Sequence, residues 1–383
     1  MNGMKALFIG SDQALHDAAS VSSVHQRGYA EALGTLHILM RTEGASEVRR
    51  DGPLTVHFVS AGKLDANALV AYARALIAAE GIEVVSAQDP FEHGWVAKEA
   101  VKGTAAALHI QVHSDFLSPW FLRGGISRSP QVAIPVKNSL RRHLADLTLP
   151  KAAGIRVVSE RVKQSLLARY GSRIPEPVVI PLAVSMTVPE AVPLPPHAFT
   201  FALVTTGPLV PEKRIEDIIE ALYRIKDTHP AVGLVVIGEG SERERLMTLV
   251  TEKQLMGRVI FAGERADSWG LMRSCQVYIQ SSGYEGYGRD LVEAALVRLP
   301  IITTDVGIVG EVFQGYDDVL ATPPGDPTNL AYQIIALLED VGARETMVRS
   351  AQAKVQQHLA AYVDVPRLIA ADLARLVSAL PVV

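Results

Sequence analysis

Cysteine is almost missing from this sequence: there is one, Cys275, among 383 residues. A single thiol cannot close an internal disulfide, which excludes the disulfide-stapled secreted domains, and the apolar neighbours of Cys275 predict a core position rather than a nucleophile. No cysteine and histidine cluster has zinc-ligand spacing, and no two aspartates are separated by a single intervening residue. Long apolar runs are missing as well. Nothing approaches the roughly 20 residues a membrane helix needs, and the apolar part of the opening MNGMKALFIG is too short for a secretory signal. These absences predict a cytoplasmic protein. No low-complexity tail or short-period repeat interrupts the chain.

What the chain does have is alternation. Apolar residues make up 48% of it and charged residues 20%, a globular balance, and the length exceeds what one core usually supports, so two domains are expected. Apolar, β-branched runs at 5–9, 36–40, 55–59, 83–86, 107–113, 155–158 and 178–180 read as strands. Helical spacing fills 25–33, 66–79, 95–102 and 159–170 between them, after a polar loop at 10–23. From Pro181 to Pro196 the composition shifts to Pro, Val and Ala, as in an interdomain linker. Alternation then resumes, with strands at 201–205, 233–237, 259–262, 277–279 and 301–304. Helices are expected at 214–226, 242–255, from about Arg289, and at 329–338. A helical stretch over 343–380 closes the chain. The expected fold is α/β: two doubly wound Rossmann-like domains, 1–185 and 196–356, facing a central cleft, with 357–383 returning to the first.

One stretch carries chemistry: Gln280 to Leu296, QSSGYEGYGRDLVEAAL. A buried strand ends at Ile279, a loop follows with Gly283, Gly286 and Gly288, and Leu291, Val292, Ala295 and Leu296 then fall on one helix face. Glycines let backbone N–H groups approach a ligand, and the first N–H groups of the helix are free to hold a phosphate. Glu285 lies before this helix and Glu293 about one turn inside it. A carboxylate only accepts hydrogen bonds, so it suits paired sugar hydroxyls. An anion pocket with two such carboxylates suggests a sugar nucleotide; the alternative is a tight strand-to-helix turn.

Glu285, seven intervening residues and Glu293, set in Ser-x-x-x-Glu-Gly-Tyr-Gly, resemble the signature of retaining glycosyltransferases of family 4, which have the GT-B fold. The resemblance continues in Ile180-Pro181-Leu182, Val236 to Gly240 and Val259 to Gly263. In the first domain it rests on His113 in Val-His-Ser-Asp and on Val157 to Glu160. It implies a nucleoside-diphosphate sugar as donor, bound by Gly207, Lys213, Gly286, Tyr287, Gly288 and Glu293. It also implies Glu285 and His113 at the transferred sugar, and an acceptor saccharide or lipid on the first domain. Where the family commonly has an arginine after Gly207, this chain has Pro208; Arg214 and Arg289 are the candidates to replace it, or are simply solvated arginines at helix starts. His113 has a structural alternative too, as a satisfied histidine near a core. With no Asp-x-Asp pair, neither metal nor cofactor is expected, and phosphate charge falls to Lys213, arginines and helix ends. The resemblance implies attack by the acceptor hydroxyl from the side the nucleotide leaves, with no side-chain nucleophile. Rival readings are a two-lobed solute-binding protein without transfer activity and another GT-B enzyme such as a sugar-nucleotide epimerase.

Charge singles out one more segment. Phe116 to Arg173 holds 11 Lys and Arg against 2 Asp and Glu, an excess of +9 in a chain whose total is −4. Trp120 and Phe121 stand beside Arg123 and Arg128, and Lys137, Arg141 and Arg142 follow on an expected helix. Such a segment suits a peripheral contact with an anionic membrane or a phosphate-bearing lipid acceptor; the plainer reading is a solvated basic helix and two core aromatics. Nucleic acid is not expected, since no recognised binding module accompanies the charge.

Overall fold

The alternation of strands and helices builds two Rossmann-like α/β units in a computed structural model that describes residues 3–62, 65–123 and 133–379. Arg128 lies outside the described residues, as does the side chain of Arg123. In chain order the first elements are β1 (Met4–Gly10), α1 (Val21–Leu33), β2 (Gly34–Thr42), β3 (Glu47–Asp51), β4 (Leu54–Ser60), α2 (Ala66–Glu80), β5 (Val84–Ala87) and α3 (Glu92–Val101). Next come β6 (Ala107–Val112), the short α4 (Pro119–Arg123), α5 (Ala133–Thr148), β7 (Gly154–Val157), α6 (Glu160–Tyr170) and β8 (Val178–Val179). Beyond the linker are β9 (Phe201–Thr206), α7 (Ile215–Arg224), β10 (Val232–Ile237), α8 (Arg243–Glu252), β11 (Val259–Gly263), α9 (Ser268–Met272), β12 (Val277–Ile279) and α10 (Arg289–Leu296). The chain closes with β13 (Ile301–Thr304), β14 (Leu320–Thr322), α11 (Pro327–Glu339), α12 (Val341–Ala360) and α13 (Val365–Ser378).

The first unit gathers the described residues up to Leu117, Val136–Pro181 and those from Asp364 onward. Its sheet runs β3-β4-β2-β1-β5-β6-β7-β8, parallel throughout except for β3, which pairs antiparallel with β4. Every residue of β5, β6 and β7 is buried, as expected for parallel strands covered on both faces. β3, sequence EVRRD, has no apolar alternation to betray it. It is an edge strand whose charged side chains face water, and register with β4 alone makes it a strand. α1 begins four residues ahead of the expected His25, because the Ser20 side chain accepts the Ser23 N–H and caps it there. The closing helical stretch is broken at Asp364, which caps α13 with Pro366 in its first turn, and α13 packs on α1, β5 and β6.

Two buried polar chains cross this unit. His37 Nδ1 lies 3.0 Å from His57 Nε2, and His57 Nδ1 lies 3.0 Å from the Tyr72 hydroxyl. Ser86 Oγ meets His109 Nδ1 at 2.8 Å, and His109 Nε2 stands 3.4 Å from Asp372 on α13. Arg156, also buried, donates to the carbonyls of Ile180 and Pro181 and to Gln111 Oε1.

The second unit gathers the described residues within Ser118–Pro135 and Leu182–Val363. Its sheet, β11-β10-β9-β12-β13-β14, is parallel throughout. Ile218, Ile219 and Leu222 of α7 and Ile334 and Leu337 of α11 pack with Leu203, Leu234, Val277 and Ile302 of the strands in one core. The linker has no regular structure but is tied down: Val192 N–H donates to Gly270, and Arg273 and Ser274 donate to the carbonyls of Pro189 and Val192. Trp120 and Phe121, which charge and composition group with the basic segment of the first domain, lie in this unit instead. The Trp120 ring lies under the Arg214 guanidinium at 4.7 Å, and the Phe121 ring meets Tyr284 edge-on at 5.5 Å.

The histidine chain makes the first unit sensitive to acid. Burial first, then the His37 and Arg50 charges, push His57 down to about 4, and burial lowers His37 too. The unfolded chain, with imidazoles near 6.5, therefore takes up protons first on acidification. The stability is complete above pH 6.5 and is lost as pH falls toward 4. In denaturant titrations of the parent and His57→Asn, the stability gap between them is expected to narrow across that window; a constant gap would show that His57 does not titrate there.

Candidate active site

The strand ends of the second unit converge because two glycines touch. Gly238, at φ 143°, follows β10, and a Cβ there would stand 2.0 Å from the Gly207 carbonyl oxygen beyond β9, so only glycine fits. After Gly207 the chain makes a short turn at Pro211–Lys213, and Arg214 takes the left-handed conformation, φ 50°, before α7. The loop leaving β12 is laced to this turn. Ser281 Oγ lies 2.9 and 2.8 Å from the carbonyl oxygens of Lys213 and Arg214, and Gly283 N–H donates to Glu212 at 2.8 Å. Gly288, at φ 88°, then turns the loop into α10, whose first N–H groups have no side-chain cap.

This lacing drives Lys213 between two carboxylates. Its Nζ is 2.6 Å from Glu285 Oε1 and 2.9 Å from Asp290 Oδ2, and the Ser282 hydroxyl donates to the same Glu285 oxygen at 2.8 Å. All three ionisable groups are largely buried. Burial works against the Lys213 ammonium, but Asp290 and Glu285 outweigh it and raise the group well above its ordinary value. Burial would also raise Asp290, yet Lys213 holds that carboxyl below its usual range. Glu285 is raised, by burial and by the neighbouring Asp290 against the pull of Lys213. One turn along α10, Arg289 donates to Glu293 at 2.7 Å, and burial raises Glu293 while Arg289 opposes the rise.

Gly207, Lys213, Gly238, Arg289, Asp290 and Glu293 line one cavity of about 390 Å³. It opens at the carboxyl ends of β9 and β10, where ligands bind in doubly wound sheets. A larger cavity, about 970 Å³, lies along α7 and α8, but its charged groups are engaged with one another: Arg245 with Glu216 and Glu242, Lys253 with Glu220. The smaller cavity joins the Lys213 ammonium, the start of α10 and the Glu293 carboxylate at the strand ends, the set a nucleotide needs.

The sequence between 200 and 354 matches the family model described as glycosyl transferases group 1. Among curated relatives, glycogen synthase of Mycobacterium tuberculosis is 27% identical over 155 residues, which cover 40% of this chain and 37% of that protein. N-acetyl-alpha-D-glucosaminyl L-malate synthase of Bacillus anthracis is 30% identical over 145 residues, 38% of each chain. The chain thus spans less than two-fifths of the length of these relatives. Among solved structures, sucrose-phosphate synthase from Thermosynechococcus elongatus superposes with TM-score 0.77 at 20% identity over 98% of this chain and 99% of its own. Anabaena HepE, solved with UDP-glucose, gives 0.73 at 20% over 97% and 100%. The fold is GT-B.

Of the residues expected to bind donor, the second unit brings Gly207, Lys213, Arg289 and Glu293 to the cavity. Tyr287 is turned away. Its ring is buried, its hydroxyl lies 3.0 Å from His358 Nε2 on α12 and its carbonyl accepts the Ile308 N–H, and neither it nor Gly286 nor Gly288 lines the cavity. Arg214 is neither solvated nor in this cavity: it is buried, its guanidinium grips Asp217 at 2.8 and 2.9 Å, and it lines the larger cavity. Arg289 is exposed on one side but committed to Glu293. His113 belongs to the first unit, just past β6. Its Nε2 is buried without a hydrogen-bond partner, and burial, then Arg156, pushes the ring down to about 3. Asp290 is the functional residue the sequence reading passes over. It stands three residues before Glu293, hence on the same face of α10, and that spacing was the available signal.

The Lys213 triad makes a prediction independent of any ligand. Lys213→Met leaves two buried carboxylates with no cation and should destabilise the fold by about 3–5 kcal/mol; adding Asp290→Asn should recover part of the loss. Equal denaturant midpoints for the single and double variants would show that the ion pair has no such role.

Proposed function

We propose that the chain is a retaining glycosyltransferase of family 4. It would move a sugar from a nucleoside-diphosphate sugar to an acceptor hydroxyl on a saccharide or lipid, in glycolipid or polysaccharide synthesis on the cytoplasmic side of a membrane. The observation that carries this reading is the cavity in which Lys213, the start of α10 and Glu293 converge. The Glu293 carboxylate accepts from both ribose hydroxyls. The ammonium of Lys213 and the α10 N–H groups take the diphosphate. Among the solved relatives, HepE was crystallised with UDP and with UDP-glucose, which makes uridine diphosphate the first donor to test.

Glu285 accepts from the hydroxyls of the transferred sugar. His113, kept neutral, offers that sugar a hydrogen bond and no positive charge, and its unpartnered buried nitrogen is the kind of group a ligand satisfies. The acceptor hydroxyl attacks the anomeric carbon on the face the nucleotide leaves, the glycosidic C–O bond breaks, and the departing diphosphate oxygen takes the acceptor's proton. Catalysis is then positioning plus electrostatic stabilisation of an oxocarbenium-like state. Donor binding must also compete with Asp290 for Lys213, so Asp290 tunes donor affinity.

A panel of nucleotide sugars tests the reading, with nucleotide release expected only when an acceptor is present. Glu293→Ala should weaken nucleoside diphosphate binding at least about tenfold, since a hydrogen bond to a charged group is worth ~1.5–3 kcal/mol. Glu285→Ala and His113→Ala should lower turnover while that affinity holds, and Lys213→Ala should lose affinity. Reversible donor binding with no turnover against any acceptor would instead indicate a binding protein.

A further inference from the structure

α5 wears its apolar side outward. Asn138, Ala145 and Thr148 face the first unit and are buried, while Val136, Leu140 and Leu147 are 66%, 59% and 44% exposed. At 3.6 residues per turn these three, with exposed His143 among them, fall within about 60° of arc opposite the buried side. Half-buried Leu144 widens the stripe on one flank. Apolar residues scattered singly on a surface are ordinary; three in line along one helix are not.

The charge around the stripe has one sign. From Phe116 to Ala145 the sequence contains no Asp or Glu. The single carboxylate of α5, Asp146, is occupied by Arg169 at 2.7 Å and by the Tyr170 hydroxyl at 2.7 Å. Lys137 is exposed on the flank of the stripe, and Lys151 is exposed in the turn after the helix. Arg141 is drawn inward, donating to Glu92 at 3.0 Å and covering the Phe91 ring, and Arg142 is half-buried. The basic helix is therefore not simply solvated, and its apolar component is not Trp120 and Phe121, which pack in the second unit.

We propose that the outer face of α5 seats the protein on an anionic lipid bilayer. Val136, Leu140 and Leu147 enter the boundary between headgroups and acyl chains, and Lys137 and Lys151 meet anionic headgroups. A helix lying in the interface needs this combination of an apolar stripe and flanking cations. A second copy of the chain fits less well, because a symmetric pairing through this face would set the same cations against each other. Among the described residues no helix is long and apolar enough to span a membrane, so the contact is peripheral. With so few apolar side chains it is weak and needs the charge.

Flotation with vesicles tests this without nucleotide, so its failure leaves the transfer reading standing. The parent protein should float with phosphatidylglycerol-containing vesicles and not with pure phosphatidylcholine, and added salt should release it. Lys137→Gln should weaken the binding about fivefold, and Val136→Ser with Leu140→Ser at least about tenfold. Both variants should melt like the parent, since the positions are exposed. Flotation with neither vesicle, equal flotation with both, or a serine variant that floats like the parent overturns the proposal. So does a dimer in sedimentation that the serine variant dissolves, which would assign the stripe to a second copy.

Discussion

The Lys213 ammonium ties the turn after β9 to two carboxylates more than 70 positions along the chain, one on the glycine loop after β12 and one in the first turn of α10. A buried cation of this kind is stable only while its partners hold it, and buried carboxylates without it are worse off than either side chain in water. The loop geometry depends on that constraint. Ser281 and Gly283 bond to the backbone of the turn, and the glycine contact between Gly207 and Gly238 brings the strand ends close enough for Lys213 to reach. The proposed donor site is thus assembled by ion pairing before any ligand arrives.

Behind the loop the support is equally specific. Tyr287 plugs the core and reaches His358 on α12, Thr304 Oγ1 donates to the Ser282 carbonyl, and Ile308 N–H donates to Tyr287. Each bond removes a freedom the glycines would otherwise give the loop. A site that acts by positioning and by fixed dipoles benefits from such rigidity, since nothing needs to reorganise when charge develops.

The first unit uses polarity differently. Ser86, His109 and Asp372 have the composition of a nucleophilic triad, but Ser86 and His109 are wholly buried, so no substrate reaches them. Their effect is to fasten α13 to the middle of the sheet. His37, His57 and Tyr72 do the same for α2 across β2 and β4. This unit also turns apolar side chains outward on α5.

Alternation of apolar runs and helical stretches was enough to reveal two parallel α/β sheets, because strands buried on both faces must be continuously apolar. The Glu-x₇-Glu spacing likewise located the loop of the proposed donor site, since a strand, a glycine turn and a helix are local. By itself the sequence determined the class of fold, the order of its elements and the neighbourhood of Glu285, Lys213 and Glu293. It could not reveal β3, whose strand character exists only through β4, or separate α12 from α13. Nor could it reveal that Asp290 shares Lys213, that Arg214 and Tyr287 point elsewhere, or that Trp120 and Phe121 join the second unit. Those facts are pairings between residues as much as 163 positions apart, as with Phe121 and Tyr284. Local spacing records which face of an element a side chain occupies; its partner is chosen only when the chain has packed.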